Sequence, residues 1–96
     1  MILRVCDNGR ERIEPASAEL VEHVFAPDSP LPDGTEITLA EGERWLTAVV
    51  VGAPGSAAEF LLSGAEGDVA TVSGPGARLD AIRLFREFMV TSGSRQ

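Results

Sequence analysis

Lysine is missing from this sequence altogether, and cysteine and histidine occur once each. These absences remove whole classes of chemistry. With Cys6 alone, no intramolecular disulfide forms and no multi-cysteine zinc site can be built. With His23 as the single histidine only carboxylates remain as further metal ligands, and none follows the Asp-x-Asp-x-Asp-Gly spacing of a calcium loop. No apolar run approaches the ~20 residues of a membrane span. The start, Met1-Ile2-Leu3-Arg4-Val5, lacks the charged opening and long apolar core of a signal peptide. The expectation is a soluble protein of a reducing, cytoplasmic compartment. Nucleic-acid binding needs a basic track interleaved with aromatic platforms. Four Phe and one Trp, mostly at core-type positions, do not supply one.

What is present is acid. Fifteen carboxylates stand against eight arginines, a net charge of −7. Residues 11–68 hold twelve of the acids against Arg12 and Arg44, a balance of −10, while 1–10 and 69–96 carry +1 and +2. Such a field repels phosphates and steers a basic partner; the plainer reading is that it keeps a small domain in solution. Hydrophobic content of 44% with 24% charged residues is globular composition and argues against disorder. The 96 residues make one domain, small enough that only roughly two-thirds of the unfolded surface is buried and a partner or second copy would add stability.

Along the chain, Ile2 to Asp7 reads as a short strand stopped by the turn pair Asn8-Gly9. Arg10 to Glu14 reads as charged connector, and Pro15 as the first residue of a helix running to about Phe25. Leu20, Val21, Val24 and Phe25 form its apolar stripe. The Pro-rich stretch 26–34 is a surface loop. Thr35–Leu39, Arg44–Val51, Glu59–Ser63 and Val69–Ser73 read as four strands of an antiparallel meander. A second helix starts near Ala77 with Ala81, Ile82, Phe85, Phe88 and Met89 on one face, and it stops at Gly93, leaving a frayed tail over 92–96. The predicted class is α+β, in the order β-α-β-β-β-β-α: an antiparallel sheet of about five strands with two helices on one face.

The run Arg44–Val51 is the centre of that sheet, and both its faces are apolar. Leu46, Ala48 and Val50 share one face, Trp45, Val49 and Val51 the other. Parity alone does not decide which is buried. If the helices cover the first, the second presents Trp45, Thr47, Val49 and Leu61, flanked by Glu36 and Glu59. An aromatic centre with a charged rim is the anatomy of a binding surface; the competing reading makes Trp45 ordinary core.

No constellation names a reaction. A nucleophile needs a base and that base an orienting third group, and Cys6 with His23 lacks the third. Glu41-Gly42-Glu43 and Glu66-Gly67-Asp68 each set two carboxylates across a glycine. They read as a weak divalent or acid/base pair or, more plainly, as solvated turn charges. Gly74-Pro75-Gly76 precedes a helix, the right place for an anion, but Pro75 offers no N–H and no Gly-Lys-Ser/Thr follows. The expectation is a protein that is not an enzyme and takes no cofactor and no metal.

Three pieces together resemble the small α+β immunity proteins of bacterial polymorphic-toxin and contact-dependent inhibition systems. They are Pro15-Ala16-Ser17-Ala18-Glu19-Leu20-Val21, the strands Trp45–Gly52 and Glu59–Gly64, and the closing Ala81-Ile82-Arg83-Leu84-Phe85-Arg86-Glu87-Phe88 with Thr91-Ser92-Gly93-Ser94-Arg95. In that family a Pro and a last Trp-bearing strand follow the Gly-x-Arg, where this sequence ends at Gln96. The resemblance implies a protein that neutralises a cognate toxin by occluding its surface, here a more basic one. Partner-binding residues read from parity and charge are Trp45, Thr47, Val49, Leu61, Glu36, Glu59, Glu41 and Glu43. The alternative is a homodimeric adaptor or secretion-chaperone-like module, pairing through a sheet face or edge. Neither reading involves nucleic acid or a membrane.

Overall fold

A computed structural model describes residues 1–7, 9–26, 33–51, 59–64, 69–74 and 76–93. Six strands, β1 (Ile2–Asp7), β2 (Arg10–Pro15), β3 (Glu36–Glu41), β4 (Arg44–Val51), β5 (Glu59–Gly64) and β6 (Val69–Val72), form one antiparallel sheet in the order β2-β1-β3-β4-β5-β6. Two helices, α1 (Ala18–Val24) and α2 (Ala77–Gly93), complete an α+β domain. The four-strand meander is as expected, and Arg44–Val51 lies inside the sheet between β3 and β5. The loop residues 27–32 and 52–58, the acidic pair of Glu66-Gly67-Asp68 and the tail 94–96 lie outside the described residues. Ser92 and Gly93, placed in the frayed tail by the sequence reading, belong to α2.

The sixth strand is the main departure. Arg10 to Pro15 is not a connector: it returns along β1 with Asp7 opposite Arg10 and Ile2 opposite Pro15. The turn of two residues ends on Gly9, at φ 82°, a left-handed conformation that glycine adopts without Cβ strain. Pro15 therefore closes a strand and is not the first residue of a helix. The amide of Ala16 donates to the Met1 carbonyl at 3.1 Å, extending the ladder. Ladder alternation then turns the backbone of Arg12 and Glu14 toward β1 and that of Glu11, Ile13 and Pro15 outward. Pro15 has no N–H to offer, and at an outward position the sheet loses nothing by it.

β2 and β3 both run antiparallel to β1, so they are parallel to each other with β1 between them, and α1 makes the crossover. The helix has only seven residues, too few to be stable alone, and two devices hold it. Ser17 is its N-cap, in extended backbone, with Oγ accepting from the Leu20 amide at 3.0 Å. At the other end the Arg78 guanidinium donates to the Ala26 carbonyl, tying the exit of α1 to the first turn of α2. Ser17→Ala is expected to cost about 0.5–2 kcal/mol, seen as a lower urea midpoint with an unchanged slope.

The core lies between the helices and one sheet face. Val21, Val24 and Phe25 from α1 and Ala77, Ala81 and Phe85 from α2 meet Leu3, Ile37, Leu39, Ala48, Val50, Phe60 and Leu62. Phe25 is its pivot, edge-on to Phe60 at 5.5 Å and to Phe85 at 5.0 Å between centroids. On the solvent side of α2, Arg83 reaches Asp80 at 3.9 Å and Glu87 at 3.4 Å, an i,i+3 and an i,i+4 pair. Arg86 reaches Glu22 of α1 at 3.3 Å. All of these side chains are about half exposed or more, so screening keeps each contribution small.

Candidate functional site

Register decides the parity that β4 left open. Leu46, Ala48 and Val50 stand beside Leu39, Ile37, Leu62 and Phe60 on the helix-bearing face. Trp45, Thr47, Val49 and Val51 therefore point away from both helices. Across the sheet, directly opposed residues share a face, which gives three rows on the open side. The first is Pro15–Ile2–Ala40–Trp45. The second is Ile13–Arg4–Thr38–Thr47–Ser63, in which the Thr38 and Thr47 hydroxyls share a hydrogen bond at 3.0 Å. The third is Glu11–Cys6–Glu36–Val49–Leu61–Thr71.

Of the eight residues selected from sequence, six share this face: Trp45, Thr47, Val49, Leu61, Glu36 and Glu59, the last opposite Val51. Glu41 does not. It is paired with Arg44 and by parity belongs to the helix-bearing side. Glu43 is exposed in the turn after Gly42. Reading the sequence without β2 misses Ile13 and Glu11, the overlooked signal being Asn8-Gly9 read as a stop rather than as a hairpin, and Ile2 of β1 is a further omission. Among the described residues six large hydrophobics are exposed, and four are on this face: Ile2 42%, Ile13 55%, Trp45 39% and Leu61 42%. Leu79 and Val90, on α2, are the other two.

The acids are unevenly placed. Glu11, Glu36 and Glu59 gather at the Val49–Leu61 end, whereas Trp45 stands four residues along β4, roughly 13 Å away at strand rise. Arg4 is matched by Glu11 at 3.4 Å. Among the described residues neither Glu36 nor Glu59 has an ion-pair partner. The face thus has an apolar end and an anionic end, separated by a band of hydroxyls.

The remaining candidates do not assemble. Cys6 lies on the open face and His23 is exposed on α1, across the sheet. Among the described residues, no three His, Cys, Asp or Glu side chains come together to hold a metal ion, and no helix is long and apolar enough to cross a membrane. A groove of ≈ 830 Å³ runs between α1 and α2, walled by Leu79, Ile82 and Val90 and bordered by Glu22, Glu87, Arg83 and Arg86. Its charges balance, so it has no preference of sign. Comparison with protein-family models, curated proteins and solved structures gave no match.

Proposed function

We propose that this chain is a non-catalytic binding protein that neutralises a more basic protein by laying its helix-free sheet face over it, in the manner of a toxin-immunity inhibitor acting in the cytoplasm. One observation carries the reading. Among the described residues no helix covers this sheet face, which presents Trp45, 39% exposed, at one end and Leu61, 42% exposed, at the other beside the carboxylates of Glu36 and Glu59, neither paired with a described cation. Exposed aromatic surface at one end of a face and carboxylates at the other favour a partner with an apolar spot and a basic patch at matching separation. The acidic balance of residues 11–68 adds long-range attraction to such a partner.

The product of the neighbouring gene is the partner to test, by pull-down at low salt. A complex supports the reading, and absence of any complex overturns it. Reversing Glu36 and Glu59 to arginine is expected to slow association about tenfold or more while changing dissociation less, because rim charges act on encounter. The same loss should appear in the wild-type protein at high salt, where the screening length falls to ~3 Å at 1 M. Stopped-flow mixing across a salt series checks both.

A further inference from the structure

β2 is an edge strand of the sheet. All six of its residues are exposed on both faces, and the backbone groups of Glu11 and Ile13 point outward with no strand beyond them among the described residues. Such an edge is a template for another strand. Charged side chains usually blunt an edge, but here their order is self-complementary. We propose that two copies of the chain pair antiparallel through β2, about a two-fold axis at Ile13 normal to the sheet, giving one continuous sheet of twelve strands.

Register selects this geometry. A two-fold axis normal to the sheet pairs residues of like parity. Centred on Ile13 it sets Arg12 against Glu14 of the second copy, and Glu14 against its Arg12, on the helix-bearing side. On the open side Ile13 meets Ile13 and Glu11 meets Pro15. No like charges face each other. Centring on Arg12 opposes two arginines, and centring on Glu11 or Glu14 opposes two glutamates. Cross-strand pairs of opposite charge stabilise and like pairs do the reverse. At the Ile13 centre two amides and two carbonyls bond across the axis, and each Glu11 amide finds a Pro15 carbonyl. The missing Pro15 N–H leaves only the Glu11 carbonyl to solvent.

Global charge also favours this edge. Residues 1–15 hold Arg4, Arg10 and Arg12 against Asp7, Glu11 and Glu14, so the hairpin is neutral, and the whole net charge of −7 lies on residues 16–96. Two copies therefore meet at β2 through a segment of zero net charge. Pairing there joins the apolar row of Pro15 and Ile2, with Ile13, to its counterpart, and it leaves Trp45, Leu61, Glu36 and Glu59 uncovered.

Sedimentation equilibrium of the full chain tests the proposal. The expected result is a concentration-dependent dimer. Arg12→Glu alone and Glu14→Arg alone should each raise its dissociation constant about tenfold, since two attractive pairs become repulsive. The doubly reversed chain, carrying both substitutions, should dimerise as the wild type does. Cysteine pairing reads the register. In a Cys6→Ser background, Ile13→Cys should oxidise to a covalent dimer, because Cα atoms of a bonded antiparallel pair lie ~5.5 Å apart, within disulfide reach. Cysteine at 11 or 15 should not. A monomer at every concentration, a dimer indifferent to the single reversals, or equal cross-linking at 11, 13 and 15 overturns the proposal. Retention of toxin binding by a monomeric variant keeps the two readings separable.

Discussion

Replacing Phe25 by alanine is expected to remove about 3–5 kcal/mol of folding stability. A chain of 96 residues commands roughly 5–14 kcal/mol in total, so the variant would lose from about a fifth to all of that margin. The size follows from position. Phe25 is fully buried at the C-cap of α1 and packs edge-on to Phe60 of β5 and Phe85 of α2. It therefore joins three elements, and each edge-to-face pair adds about 0.5–1.5 kcal/mol beyond buried area. A seven-residue helix has little stability of its own once that contact is cut. Phe25→Leu keeps most of the volume and should cost well under half as much. Urea unfolding followed by far-ultraviolet circular dichroism gives both numbers. Equal losses from the two variants would show that volume at Phe25, and so this picture of the core, does not set stability.

Much of this architecture is legible in the residues, for a physical reason that also explains the failure. Elements that bury one face advertise it. Ile37 with Leu39 and Phe60 with Leu62 alternate cleanly and are buried, and the stripe of Val21, Val24 and Phe25 predicts the inner side of α1. β4 is apolar on both sides, so its own pattern is mute, and only the one-sided neighbours β3 and β5 fix its parity through register. β2 buries nothing. Its sequence, Arg-Glu-Arg-Ile-Glu-Pro, has no hydrophobic period to find; the strand exists because a tight turn returns the chain along β1. Pro15 compounds the error, since at a helix start and at an outward edge position its missing N–H is equally harmless.

The same contrast between covered and uncovered faces limits the site. Glu36 and Glu59 lie on strands the pattern reveals, whereas Glu11 and Ile13 lie on the strand it conceals. The open face is consequently wider than the sequence implied and extends toward the β2 edge. Its composition changes along the way, from carboxylates near Val49 and Leu61 to aliphatic surface near Trp45. A partner matched to it would carry basic residues at one end of its footprint and an apolar hollow at the other.

Trp45→Ala should reverse the pattern of Phe25→Ala. With Trp45 39% exposed, opposite the small Ala40 and away from the helices, truncation should cost no more than about 1 kcal/mol of stability, the range of cross-strand packing. Binding to the proposed partner should instead fall by about 2 kcal/mol or more, some thirtyfold in dissociation constant, as for a tryptophan anchor seated in a partner's pocket. Most of that change should appear in the dissociation rate, because lost apolar contact does not alter electrostatic steering. Glu36 and Glu59 reversals act on the association rate, so the two sets of variants separate anchor from steering within one face. The decisive measurement is unfolding and binding on the same preparation. A large stability loss with unchanged affinity per folded molecule would make Trp45 a structural residue and remove the face as the binding surface. A thirtyfold loss of affinity in a protein that unfolds as the wild type does would place the anchor on the side of β4 that faces away from α1 and α2.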